Sequence, residues 1–284
     1  MAVALAVDIG GTKIAAGVVT AAGELVHRAV APTVGATLFD EVCRLVGEVL
    51  TGEEVVCGVG CGGPMSPGGE RVSPLNIPAW RDFPLRARRA GATGRATFVD
   101  NDAKALALGE WWAGAAAGVD DFVALVVSTG VGGGIVLDGR LLDGAGGNAG
   151  HIGHLIVEPG GRWCGCGARG CLEAEASGTA IAGITGAPAA LADVAMRART
   201  GRLVGRAVAS VANLLDLRLA VVAGSVALGF GEAFFGAAQA EIDARARLSF
   251  SRGTRIVPAG RGEAAPLVGA AAVGFRGLGG LPRR

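Results

Sequence analysis

Three cysteines and a histidine lie close together in the second half of the chain: His154, Cys164, Cys166 and Cys171. The spacing C-x-C-x4-C, with the histidine ten residues earlier, supplies three thiolates and one imidazole. Such a set matches a closed, tetrahedral, structural Zn²⁺ site. The alternatives are a disulfide or buried free thiols, although the single residue between Cys164 and Cys166 is poor spacing for a disulfide. The pattern therefore predicts a structural zinc site.

A second candidate group consists of Asp100, Asn101 and Asp102, which follow the apolar residues before position 100. A carboxylate at the end of a strand or the start of a helix is well placed to act as a general base. Asn and Asp are also the preferred N-cap residues of helices. The spacing alone leaves both interpretations open. A nearby phosphate ligand would favour the base, because phosphoryl transfer needs a group that accepts the acceptor's hydroxyl proton.

Two glycine-rich segments also follow short apolar runs: DIGGTK at 8–13 and STGVGGGI at 128–135. Glycine lets backbone N–H groups approach a phosphate closely. Asp8 in the first segment could position a hydrated Mg²⁺. An ordinary β-turn is the alternative for either segment, and the first matches neither a Walker loop nor G-x-G-x-x-G. Two such segments in one chain predict a nucleotide held between two similar half-domains.

The elements that must position these residues alternate between strands and helices. Apolar runs at 2–7, 54–56 and 122–127 have the length of buried strands. Helical periodicity appears in four places, which are residues 38–50, 102–114, 203–217 and 230–248. This alternation predicts an α/β fold.

Composition excludes several classes of protein. The 284 residues include 50 glycines without a G-X-Y repeat, which excludes collagen. The 26 basic and 25 acidic residues nearly cancel, so we expect no nucleic-acid and no membrane partner. The most apolar stretch, 219–238, contains Ser225, Glu232 and four glycines, so it is not expected to span a membrane. The N-terminus lacks the basic region of a signal peptide, and we expect a cytoplasmic protein.

In this order the motifs resemble the ROK family, which contains sugar kinases and related repressors with the actin-like ATPase fold. The resemblance covers nearly the whole chain and is strongest over 144–177, which is similar to the family's sugar-and-zinc signature. The other similar segments are the first phosphate loop at 8–13, the second at 128–134, the adenosine-binding segment at 219–229, and the sugar-side loops at 60–65 and Asn76.

The resemblance implies ATP-dependent 6-phosphorylation of a hexose or hexosamine, with Asp102 as the catalytic base. It implies that the sugar contacts Gly63, Asn76, Asn101, Asp102, His151, His154 and Glu173. It implies that the nucleotide contacts Asp8, Gly10, Gly11, Thr12, Lys13, Thr129, Gly130, Gly132, Gly133, Gly224 and Ser225. The implied cofactors are ATP, catalytic Mg²⁺ and structural Zn²⁺, and His154 would both bind zinc and contact the sugar.

The implied architecture is an α/β, actin-like ATPase (ribonuclease H-like) fold with two lobes around a nucleotide and sugar cleft. We expect a small N-terminal lobe at 1–112, with the first phosphate loop, the sugar loops and the catalytic aspartate. A larger C-terminal lobe at 113–284 would carry the second phosphate loop, the zinc loop and the adenosine site. The last helix is expected to pack back on the N-terminal lobe. The resemblance also implies a homo-oligomer, a dimer or a tetramer.

One position departs from the family's glucokinases. Their motif A-G-E-x-G-H carries Glu where this chain has His151. A carboxylate accepts from two neighbouring hydroxyls, whereas a neutral imidazole offers one donor and one acceptor. The histidine resembles that of bacterial N-acetylmannosamine kinases in the same family, so the chain leans towards that substrate. Glucokinase, or a kinase of a related amino sugar or cyclitol, is the alternative.

A sugar-responsive repressor is the candidate from a different functional class. Repressors of the family carry a helix-turn-helix before the kinase-like core. Here Asp8 of the first phosphate loop follows only seven residues, and its D-x-G-G-T motif is intact. The sequence therefore favours the enzyme.

Overall fold

The computed structural model describes residues 2–35 and 37–282. Ten strands are described: β1 Val3–Ile9, β2 Lys13–Thr20, β3 Leu25–Pro32, β4 Glu54–Cys61, β5 Thr97–Asn101, β6 Phe122–Val127, β7 Val131–Leu137, β8 Arg140–Leu141, β9 Leu219–Ala223 and β10 Arg255–Pro258. Nine α-helices are described: α1 Leu38–Val49, α2 Leu85–Thr93, α3 Asp102–Ala113, α4 Leu172–Ala176, α5 Gly178–Thr185, α6 Val194–Leu215, α7 Ser225–Phe230, α8 Glu232–Arg245 and α9 Ala265–Gly277.

The strands form two five-stranded sheets of the same design. The first sheet has the order β3-β2-β1-β4-β5, in which β1 is antiparallel to β2 and parallel to β4. The second has the order β8-β7-β6-β9-β10, in which β6 is antiparallel to β7 and parallel to β9. In both sheets the turn after the first strand leads into an antiparallel partner. The predicted α/β class is confirmed.

The chain divides into two compact units. The first unit contains the described residues of 1–117, 141–149 and 260–284, and the second contains 118–140 and 150–259. The last helix, α9, belongs to the first unit because it packs directly on β4 and α3. A Cβ at Gly58 of β4 would stand 1.9 Å from the carbonyl oxygen of Ala270. A Cβ at Gly109 of α3 would stand 2.8 Å from the Cα of Gly269. Glycine at these positions permits the close approach.

Each unit has its own apolar core. In the first unit, α1 buries Leu38, Val42 and Leu45 against strands that are apolar on both faces. In the second unit, α6 packs on α8 through two glycines. A Cβ at Gly201 or Gly205 would stand 2.2 or 2.4 Å from a carbonyl oxygen of α8. These cores fix the strands whose ends carry the candidate site.

The apolar stretch at 219–238 folds as β9, α7 and the first half of α8. Across the described residues we find no helix with the length and hydropathy needed to cross a bilayer.

Candidate active site

The predicted site residues are divided between the two units. The first unit contains Asp8, Gly10, Gly11, Thr12, Lys13, Gly63, Asn76, Asn101 and Asp102. The second contains Thr129, Gly130, Gly132, Gly133, His151, His154, Cys164, Cys166, Cys171, Glu173, Gly224 and Ser225.

In the first unit, two carboxylates meet at the carboxyl ends of parallel strands. Asp8 of β1 is in register with Gly60 of β4, which is in register with Asp100 of β5. A Cβ at Gly60 would lie 3.4 Å from Asp8 Oδ1 and 3.6 Å from the Cα of Asp102. Gly60 of β4 therefore lies next to both Asp8 and the start of α3.

The electrostatics of Asp8 reflect this arrangement. Burial, and after it the charge of Asp102, raise the pKa of Asp8 to about 7, and the charge of Lys13 partly opposes this rise. A carboxylate that is removed from water beside a second carboxylate is unfavourable in its ionised form. A hydrated divalent cation would relieve this repulsion, and carboxylate oxygens are the ligands that Mg²⁺ prefers.

Both interpretations of the Asp100–Asp102 segment have a structural counterpart. Asn101 is the N-cap of α3, and its Oδ1 accepts a hydrogen bond from the Ala103 N–H at 3.0 Å. Asp102 Oδ1 accepts from the same N–H at 2.9 Å. The cap therefore uses the Asn101 oxygen, while Asp102 is held in a defined orientation at the first residue of the helix.

The first glycine turn lies against a predicted sugar-side segment. The Gly10 N–H donates to the Lys13 carbonyl at 3.0 Å, which closes the turn between β1 and β2. A Cβ at Gly11 would stand 2.6 Å from the Cβ of Asn76. The Gly63 carbonyl accepts from the Leu75 N–H at 3.3 Å, so the two predicted sugar-side segments are also joined.

In the second unit, the turn between β6 and β7 is shorter than its sequence suggests. The connection is Ser128–Gly130, whereas Gly132 and Gly133 lie inside β7. A Cβ at Gly133 would stand 2.6 Å from Ile152 Cγ2, so this glycine lets the segment that carries His151 pack on β7. Packing is thus a structural function of Gly133, and its contact with nucleotide stays a prediction.

Glu173 is placed next to this turn by α4. Its Oε2 accepts a hydrogen bond from the Val131 N–H at 2.9 Å, and a Cβ at Gly130 would stand 2.7 Å from the same oxygen. Helix α4 is anchored by buried Glu175, which is bonded to Arg162 and Arg199 at 2.8 and 2.6 Å. This anchor has no recognisable motif, because Glu175 is 13 residues from Arg162 and 24 from Arg199.

An open pocket of about 640 Å³ lies beside the same turn. Its lining consists of Thr129, Gly178, Thr179, Ala182, Gly186, Ala187, Pro188, Ala189, Ser225 and Val226. Thr129 and Ser225 were predicted to contact nucleotide, whereas the wall from α5 and residues 186–189 was missed because it carries no recognisable motif. Apolar walls with a few hydroxyl groups are typical of sites for small organic ligands.

The predicted metal ligands come together in the second unit. One donor atom from each of His154, Cys164, Cys166 and Cys171 lies within 4.8 Å of the others. Cys166 and Cys171 Sγ are 3.7 Å apart, and Cys164 Sγ is 3.7 Å from His154 Nδ1. Tetrahedral Zn–S bonds of about 2.3 Å require sulfur atoms about 3.8 Å apart, so the donors fit such an ion. These four residues can hold a metal.

Two of the residues predicted to contact sugar, His151 and Glu173, lie next to this cluster. Cys171 is the N-cap of α4, two residues before Glu173. The rings of His151 and His154 are stacked with centroids 6.0 Å apart. A bound metal would therefore fix both the histidine segment and the start of α4.

The raised pKa of Asp8 predicts the pH dependence of a substitution. Between pH 4 and 7 the unfolded carboxyl is ionised while the folded one is protonated, so the Asp8 contribution destabilises the fold increasingly as pH rises. We expect Asp8→Asn to raise the free energy of unfolding of ligand-free protein by about 1–2 kcal/mol at pH 8. The gain should be smaller at pH 4. Urea unfolding at both pH values measures it.

Asp120→Asn is the matched control, because Asp120 is exposed and lies outside both turns. An equal or larger gain for Asp8→Asn at pH 4, or no gain at pH 8, would contradict the assigned environment of Asp8.

This chain is similar in sequence to curated sugar kinases. A curated glucokinase from Thermotoga maritima is 43% identical over 185 residues, which cover 62% of this chain and 58% of that protein. The aligned part of this chain thus spans less than two thirds of that relative. The N-acetylmannosamine kinase of Escherichia coli O157:H7 is 37% identical over 246 residues, covering 80% of this chain and 84% of that protein.

Among solved structures, a ROK family glucokinase from Streptomyces griseus in complex with glucose and AMPPNP superposes with a TM-score of 0.86. It is 30% identical, and the match covers 96% of this chain and 99% of that one. The predicted actin-like ATPase fold is confirmed. The family model described as "ROK family" matches residues 4–275, and the chain belongs to this family.

Proposed function

We propose that this protein is an ATP-dependent kinase that phosphorylates the C6 hydroxyl of a hexose or hexosamine. The observation that carries the proposal is the pair of Asp8 and Asp102 beside the glycine turn at 10–12. In such a pair, one carboxylate can hold a hydrated cation while the other accepts a proton.

Asp102 acts as the general base in this proposal. Its carboxylate takes the proton of the C6 hydroxyl as that oxygen forms a bond to the γ-phosphorus. The bond between the γ-phosphorus and the bridging oxygen breaks, and ADP leaves with the bond's electron pair. The hydrogen bond from the Ala103 N–H keeps the Asp102 side chain oriented for this step. Orientation of this kind is a large part of what an enzyme contributes.

Asp8 would hold Mg²⁺ through its water shell, and Mg²⁺ when bound neutralises phosphate charge. The backbone of Gly10, Gly11 and Thr12 would hold phosphate oxygens. In the second unit, Thr129 and Ser225 would contact the nucleotide from the open pocket, whose apolar wall suits a nucleobase. ATP is supported as the donor by the AMPPNP in the Streptomyces griseus relative.

Glu173, His154 and His151 would hydrogen-bond the sugar hydroxyls. His151 favours N-acetylmannosamine because its imidazole offers one donor and one acceptor, which differs from a carboxylate that accepts from two hydroxyls. The similarity to an N-acetylmannosamine kinase over 80% of the chain supports this choice. Glucokinase is the second candidate, supported by 43% identity to the Thermotoga maritima enzyme.

The cluster of His154, Cys164, Cys166 and Cys171 would hold a structural Zn²⁺. Burial and the neighbouring thiols raise the pKa of Cys171 to about 12, so a cation is needed to make its thiolate favourable. Zinc when bound supplies that charge and a rigid tetrahedral connection. The Cys171 end of α4 and the His154 imidazole would then be fixed, and with them Glu173.

Metal analysis tests the zinc proposal. We expect about one zinc per chain in untreated protein, as for a closed four-ligand site. Cys166→Ser should reduce the zinc content because serine is a poor zinc ligand. Cys43→Ser, which changes a cysteine outside the cluster, should leave it unchanged. Well-folded protein without zinc would contradict the assignment.

Asp102→Asn tests the catalytic base. The amide keeps the shape of the side chain but cannot accept the proton, so we expect kcat to fall by about 10²–10⁴-fold. Sugar affinity, measured by calorimetry, should change little. Asp40→Asn, at an exposed carboxylate of α1, should retain activity. Appreciable residual turnover in Asp102→Asn would remove Asp102 as the base.

His151→Glu tests sugar selection. A carboxylate at this position should shift the ratio of kcat/KM towards glucose over N-acetylmannosamine by about tenfold or more, as expected for a changed polar contact. His27→Glu is the matched control, since His27 is an exposed histidine of β3. An unchanged sugar profile would show that position 151 does not set specificity.

A further inference from the structure

Four charged side chains of the first unit form a closed ring of ion pairs. Lys104, which is 2% exposed, places its Nζ 3.0 Å from Asp100 Oδ1 and 2.8 Å from Asp143 Oδ1. Arg276 of α9 closes the ring. Its Nη2 lies 2.7 Å from Asp143 Oδ2, and its Nη1 lies 3.5 Å from Asp100 Oδ2. The Gly147 carbonyl accepts from Lys104 Nζ at 3.1 Å. The buried ammonium therefore has an acceptor for each of its three N–H groups.

This ring holds the turn that carries the proposed base. Asp102 lies between Asp100 and Lys104 in the chain, so their ion pair spans the first turn of α3. Burial raises the pKa of Asp100, and the charges of Lys104 and Arg276 oppose that rise. A buried carboxylate without a partner is costly, so loss of Lys104 should make this turn rearrange.

The ring also holds the segment 141–149, which in turn contacts a sugar-side loop. Asn148 Oδ1 accepts from the Met65 N–H at 3.3 Å, and Asn148 Nδ2 donates to the Met65 carbonyl at 3.1 Å. The Ala149 N–H donates to the Asp143 carbonyl at 3.0 Å, which closes the segment on itself. Lys104 thus connects the Asp102 turn with the loop that contains Gly63.

We propose that Lys104 is a positioning residue for phosphoryl transfer: it holds the Asp102 turn and the 141–149 segment in one arrangement through Asp100 and Asp143. This inference rests on the proposed kinase function. Lys104 has no part in the chemistry itself, because all of its N–H groups are used within the protein. Its effect on turnover is exerted through the placement of Asp102 and of the sugar-side loop.

Lys104→Met tests the proposal, because methionine fills similar space without the charge. We expect kcat to fall by about tenfold to a hundredfold, the effect of a small misplacement of a catalytic group. The KM for ATP should stay unchanged, since the first glycine turn lies outside the ring. Both constants are measured with the unfolding temperature of each variant.

Arg95→Met is the matched control. Arg95 pairs with the buried carboxylate of Glu54 at 2.8 Å and precedes β5 at the end opposite Asp100. We expect Arg95→Met to lower the unfolding temperature at least as much as Lys104→Met does, while its kcat stays at the wild-type value. A retained kcat in Lys104→Met, or an equal loss of kcat in both variants, would overturn the positioning role.

Asp143→Asn provides a second test if Lys104→Met does not fold. Its side chain is 47% exposed, so the substitution is tolerable, and it weakens the attachment of 141–149. We expect the KM for sugar to rise severalfold, whereas wild-type kinetic constants would overturn the proposal. Failure of the kinase proposal is distinguishable, because then the wild-type protein itself would release no ADP with any sugar.

Discussion

The candidate site of the first unit is built on two neighbouring carboxyl groups that the fold holds together although their charges repel. Asp8 and Asp102 meet where β1 and β5 end on either side of Gly60, with burial and mutual repulsion both opposing ionisation of Asp8. The fold holds these groups in place through parallel strand register and through the cap of α3. Two neighbouring carboxylates favour binding of a cation, and either one can accept a proton. Phosphoryl transfer needs both of these functions.

The second sheet repeats the strand order but uses different chemistry at the corresponding turn. The turn after the first strand is Gly10, Gly11 and Thr12 in the first sheet and Ser128, Thr129 and Gly130 in the second. Ser128 Oγ is 3.0 Å from Ser225 Oγ. Hydroxyl groups and small residues suit contact with a nucleotide without adding negative charge. The cluster of His154, Cys164, Cys166 and Cys171 lies in the same unit and includes the N-cap of α4. One sheet design thus supports two complementary sets of polar groups.

Local patterns in the sequence were sufficient for part of the site. His154, Cys164, Cys166 and Cys171 lie within eighteen residues, so their spacing alone predicted the cluster that the structure brings together. The glycines between 130 and 134 predicted a long turn, because glycine is typical of turns. In the structure, Gly132–Gly134 lie in strand β7 instead. The ring of Lys104, Asp143 and Arg276 was not predictable, since its members are far apart in sequence and meet only through the packing of α9. The cap formed by Asn101 was one of two open alternatives, and its geometry could be decided only with the backbone in view.

The proposed kinase function is tested most directly by ADP release from wild-type protein with ATP, Mg²⁺ and a panel of sugars, combined with NMR to locate the phosphate. The panel consists of glucose, mannose, N-acetylmannosamine, N-acetylglucosamine, fructose and kanosamine. We expect equimolar ADP and a product phosphorylated at the C6 oxygen for at least one hexose or hexosamine, with N-acetylmannosamine the best substrate. No sugar-dependent ADP release across the panel, or a phosphate on another hydroxyl, would contradict the proposed function.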